Sequence, residues 1–129
     1  MAFTPSTRSV ADKLGLTEGA TFLVLGDAPP TIDAGGATQA KSLSDVVLVV
    51  CRSEDDVRRL LTRGWEARKP GGRLWALYEK GKRSFTRTQL GAEVDGVGLG
   101  VTWFRQVSLG DLWSGVWFKH RSEFRTLKR

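Results

Sequence analysis

Asp45-Val46-Val47-Leu48-Val49-Val50-Cys51 is an unbroken apolar run opened by a carboxylate. Its β-branched residues alternate with nothing polar, so both faces of the strand it forms must be covered. That is the pattern of a central strand in a parallel sheet packed by helices, and it points to an α/β fold. Downstream, Ser53 followed by Glu54, Asp55 and Asp56 reads as a capped helix start, with the acids favoured by the positive end of the helix dipole. Val57, Leu60, Leu61, Gly64 and Trp65 recur at helical spacing as the buried stripe, and Glu54–Arg58 and Asp55–Arg59 are spaced as i,i+4 ion pairs.

Lys69-Pro70-Gly71-Gly72 stops that helix, and Arg73–Tyr78 resumes as a strand. Glu79–Ser84 is a polar, basic loop, and Thr86–Val97 is a weaker helix with Leu90, Val94 and Val97 inward, loosened by Gly91 and Gly96. Val101–Val107 and Ser114–His120 are strands around the turn Ser108–Trp113, hence an antiparallel hairpin in which Trp103 and Arg105 share one face and Phe104 takes the other. Upstream, Thr21–Leu25 is a short buried strand ending at Gly26, and Gly26–Ser44 is mostly loop with a short strand near Thr38–Lys41. Leu14–Gly19 is a turn, Met1–Thr7 a loose lead-in and Glu123–Arg129 a basic tail. The expected organisation is one domain over 8–121 followed by a tail over 122–129.

The bulk properties agree. A chain of 129 residues that is 40% hydrophobic can bury one core and is too short for two. The single Cys51 excludes an internal disulfide, and one cysteine with one histidine, His120, excludes the usual zinc site. No apolar run approaches the roughly 20 residues of a membrane span, and no basic-then-apolar leader is present. A cytoplasmic location away from membranes is the expectation.

From Asp45 to Tyr78 the chain resembles the second half of the class I S-adenosylmethionine-dependent methyltransferase fold: an Asp-led apolar strand, a helix, then Lys69-Pro70-Gly71-Gly72 entering the next strand. Leu14-Gly15-Leu16, Glu18-Gly19, Leu23–Gly26, Lys80-Gly81 and Trp113-Ser114-Gly115 are similar to a small family of uncharacterised bacterial proteins with a cut-down version of that core. The resemblance implies a reduced Rossmann-like, mostly parallel sheet closed by the C-terminal hairpin. It also implies a glycine-rich turn and a ribose-binding acid for the cofactor. Here the turn is Gly26-Asp27-Ala28-Pro29-Pro30, whose prolines remove amide donors, and Asp33 is the nearby acid. Only the 18 residues Asp27–Ser44 separate the first strand from the central one, which allows one shortened crossover at best. The expectation is a core that kept the fold and lost the reaction, with no cofactor and S-adenosylmethionine disfavoured.

Ligands of open α/β sheets sit beyond the carboxyl ends of the strands. Gly26, Asp27, Arg52, Lys80, Lys82 and Arg83 should gather there, with Trp113 as a wall, as a cleft for a small anion, or else serve as solvated loop charges. The acids Glu54, Asp55 and Asp56 already occupy the helix end where an anion would otherwise dock. Basic charge is concentrated from Arg58 to Arg87, ten cations against two acids, and again in the tail. Arg63, Arg68, Lys69, Arg73, Arg87, Lys119 and Arg121 are therefore the candidates for a sequence-independent nucleic-acid surface. Cys51 reads as a small core residue, and His120 has no adjacent acid to orient it for catalysis. The leading expectation is a non-catalytic module that binds an anion, a nucleotide or a protein partner. The alternatives are a nucleic-acid binder and a divergent methyltransferase.

Overall fold

A computed structural model describes residues 10–27, 29–32 and 34–122. Asp33, the whole of the expected lead-in Met1–Thr7 and the tail Glu123–Arg129 lie outside the described residues. The chain runs α1 (Val10–Leu14), β1 (Thr21–Leu25), β2 (Thr38–Gln39), β3 (Ser44–Val50), α2 (Glu54–Glu66), β4 (Arg68–Glu79), α3 (Arg87–Val97), β5 (Val101–Ser108) and β6 (Trp113–His120). The apolar run is central: β3 pairs in parallel with β1 on one side and β4 on the other, and Val46–Cys51 are buried throughout.

The six strands form one open sheet in the order β2-β1-β3-β4-β6-β5. The first four are parallel, whereas β6 pairs antiparallel with both β4 and β5. The sheet is thus mixed rather than mostly parallel. The reason is local: a turn of four residues between Ser108 and Trp113 can only fold the chain back on itself. On the other edge, β1 reaches β2 through residues 26–37, and the described residues of that crossover contain no helix.

The sheet's two faces are covered differently. Val47, Val49, Cys51, Leu74, Ala76, Val116 and Phe118 pack under α2 and α3 with Val57, Leu60, Leu61, Leu90 and Val94. The opposite face carries Val46, Leu48, Val50, Trp75, Leu77 and Trp113 beneath Ala11 and Leu14 of α1 and Leu16. The Trp75 indole N–H donates to the Leu14 carbonyl (3.1 Å), which ties that short helix down. Five residues are too few to signal a helix by periodicity, and α1 has no counterpart in the sequence reading.

Helix α2 starts as its sequence dictates, with Ser53 Oγ accepting from the Asp56 amide (3.3 Å). Asp55–Arg59 forms at 2.9 Å. Arg58 turns instead to Glu93 of α3 (3.7 Å), and Glu54 accepts from Gln89 Nε2 (3.4 Å), so the other expected pair links the two helices. Lys69–Gly72 is no free turn. The register with β3 jumps from Ser44↔Arg68 to Val46↔Arg73, making the segment an irregularity within β4.

Candidate functional site

The carboxyl ends of β1 and β3 are closed by the protein itself. Gly26 sits at φ +110°, and a Cβ there would lie 2.9 Å from both the Cβ and the carbonyl oxygen of Val50. The close approach that a glycine turn would offer a cofactor is made here by β3 and, through Leu60, by α2. These residues do not fit the cofactor-holding turn that the resemblance implies. Arg52 donates its amide to Asp56 Oδ2 (2.8 Å), pairs through its guanidinium with Glu79 (2.9 Å) and lies over the Trp113 ring at 5.0 Å. Trp113, expected as a ligand wall, is buried in the sheet face beneath Arg52. Asp27 is exposed and stands apart from the cleft described next.

The cleft opens beyond the carboxyl end of β4, between the β4–α3 loop and the β5–β6 hairpin, with a volume of about 770 Å³. Of the expected anion site it contains Lys80, Lys82 and Arg83. Lys80 is committed to the hairpin, donating from Nζ to Ser108 Oγ (2.6 Å) and to the Gly110 carbonyl (2.7 Å). Lys82 and Arg83 are exposed on the loop. The structure adds Arg87, assigned from sequence to the nucleic-acid surface, together with Tyr78, Gln106 and Ser114. Arg87 Nη1 donates to Gln106 Oε1 (3.1 Å), and Gln106 Nε2 donates to the Tyr78 hydroxyl (2.8 Å). Tyr78 accepts in that contact, so its own proton remains to be donated. Among the described residues Glu79 is the one acid lining the cleft, and Arg52 pairs with it.

Gln106 escapes a strict reading of strand alternation. Trp103 registers with Phe118 and Arg105 with Trp117, so Phe104 is an extra residue in β5. The expectation that Trp103 and Arg105 share a face is therefore wrong. Beyond the bulge Arg105 packs near Phe104 and Trp117 (5.4 Å from the Phe104 ring), and Gln106 swings to the helix-covered face, where Tyr78 lies.

The other basic candidates scatter. Arg63 stands near Lys41 on the far side of α2. Arg68 stacks on Trp65 (3.5 Å) and donates to the Gly72 carbonyl, Lys69 is 3.7 Å from Asp45, and Arg121 is 4.0 Å from Asp95. Arg73 and Lys119 do share a face, over Trp117 (4.1 and 5.0 Å). Burial pushes the Cys51 thiol up to about 12, which keeps it protonated and suits a core residue rather than a nucleophile. His120 Nδ1 lies 2.8 Å from Ser122 Oγ, and its ring packs against Trp65. Among the described residues no helix is long and apolar enough to cross a membrane. No protein-family model matches the chain, and no curated protein matches it.

Proposed function

We propose that this protein is a non-catalytic binding module that takes a small anion, a phosphate or carboxylate group, in the cleft beyond β4. One observation carries the reading: Lys82, Arg83 and Arg87 line a cavity into which Tyr78 can donate a hydrogen bond, and its acid Glu79 is paired with Arg52. Clustered cations in a concave site concentrate anions, and a phenol donor adds direction to a point-charge attraction. Helix α3 starts at the same cleft, so its dipole adds to the positive potential. A reduced Rossmann-like ancestry is the companion reading. The parallel β2-β1-β3-β4 block, closed by an antiparallel hairpin whose last strand lies next to β4, supports it.

Thermal unfolding in inorganic phosphate and pyrophosphate tests the proposal. A ligand present at a hundred times its Kd stabilises the folded state by about 2.7 kcal/mol, enough to raise Tm by several degrees. The double variant Lys82→Ala/Arg83→Ala should keep the ligand-free Tm, because both side chains are exposed, and should lose the shift. A Tm indifferent to every anion tried would end the reading.

A further inference from the structure

A second hollow of about 450 Å³ lies between α3 and β5, lined by Arg87, Thr88, Gly91, Asp95, Trp103 and Phe118 among others. Arg87 belongs to both hollows. We infer that the second hollow holds the planar base of a nucleotide whose phosphate occupies the cleft, an inference that rests on the anion reading above.

The two hollows are continuous through Arg87. Arg87 donates to Gln106 on the cleft side, and its guanidinium carbon is 5.9 Å from the centre of the Trp103 ring on the other. Gly91 stands one helical turn, about 6 Å, further along α3, which is the reach of a pentose between phosphate and base.

The lining of the hollow also suits a planar base chemically. Trp103 is braced edge-to-face against Phe118 (6.0 Å, 79°), so its half-buried indole is a rigid stacking surface. Asp95 supplies a carboxylate that can accept from an exocyclic amine. An aliphatic chain would fit worse, since it would cover the Thr88 and Thr102 hydroxyls and the Asp95 carboxylate, which Arg121 approaches to 4.0 Å, and offer them no hydrogen bond.

Gly91 itself points the same way. A glycine inside a helix costs about 1 kcal/mol relative to alanine. Yet a Cβ on Gly91 would meet nothing within 4 Å, and its backbone does not need a positive φ. Neither packing nor conformation calls for glycine there; its effect is to leave room in the hollow that Trp103 also lines.

Calorimetry on the full chain with inorganic phosphate, ribose 5-phosphate and adenosine 5′-monophosphate decides the matter. The nucleotide should bind at least about tenfold more tightly than ribose 5-phosphate. Gly91→Leu should erase that advantage and leave phosphate affinity unchanged. The new side chain has open space and a better helix propensity, so loss by unfolding is not at issue, and the Tm checks it. Equal affinities for the sugar phosphate and the nucleotide, or an advantage that survives Gly91→Leu, overturn the base site and leave the anion cleft standing. Failure of all three to bind overturns the cleft itself.

Discussion

At their carboxyl ends, the β1–β3 half of the sheet is packed shut and the β4–β6 half is open. At the carboxyl end of the first half Gly26 packs on Val50, and at its amino end Asp45 accepts from the Thr21 amide (2.9 Å) and hydroxyl (3.2 Å). In the second half, the loop leaving β4 and the hairpin turn diverge and leave the cleft between them. Open α/β sheets usually bind ligands where neighbouring strands send their connections in opposite directions, here between β1 and β3. That crevice needs a bulky crossover to hold its walls apart, and the described part of the β1–β2 crossover has no helix. A second divergence lies where parallel pairing gives way to antiparallel, and the cleft is found there.

The largest effect should come from forcing the shut end apart. Gly26→Val adds branched carbon where 2.9 Å separates a Cβ from Val50, and does so at a left-handed φ. Strain and overpacking together should remove about 2–4 kcal/mol, read as a lower urea midpoint with an unchanged slope. Phosphate binding by the folded fraction should survive, because the cleft lies in the other half. An unchanged midpoint would mean that the closure is loose, and the contrast between the halves would fail.

A smaller effect tests an ion pair that joins the halves at the edge of the cleft. Arg52 and Glu79 form a partly exposed pair, 37% and 26% accessible, and Glu79 also lines the cleft. Arg52→Ala should therefore cost little stability, about 1 kcal/mol or less, yet release a negative charge beside the anion site. Phosphate affinity should fall about two- to fivefold, and Glu79→Gln in the same background should restore it. Affinity that ignores both substitutions would place the bound anion elsewhere.

Legibility in the sequence followed the same division. The central strand, the Ser53 cap, the stripe on α2 and the terminal hairpin were readable because each is a local pattern with one physical solution. The basic loop residues Lys82 and Arg83 were found by charge and position alone. Trp113 could be read either as a ligand wall or as hairpin cover over the sheet edge, and its burial fits the second; Arg52 was not separable from the loop cations, since nothing local says that an arginine has an acid 27 positions later. Gln106 was out of reach for a different reason. A bulge at Phe104 inverts the alternation of β5, and its only sequence signal, a run of two aromatics, also fits an unbroken strand. Arg87 was read as one cation among ten, and only the tertiary fold brings it to Gln106.

The smallest effect belongs to the amino end of the shut half, and its sign follows from titration. The Thr21 backbone N–H, with help from Lys69 at 3.7 Å, holds the Asp45 carboxyl below its ordinary value of 3.8. A carboxyl lowered on folding stabilises the native state fully above its unfolded value, and the contribution disappears as pH falls through the folded value. Asp45 is 42% accessible, so solvent screening keeps the contribution small. The Tm deficit of Asp45→Ala at about pH 7 should therefore be modest and should narrow as pH drops below about 4. Asp45→Asn keeps an acceptor for the Thr21 amide and loses the charge, so its deficit should be smaller at about pH 7 and should narrow by a similar amount in acid, because the wild-type carboxyl is the group that titrates. A deficit of Asp45→Ala that stays constant or widens in acid would show that packing, not the carboxylate, joins β1 to β3 at this end.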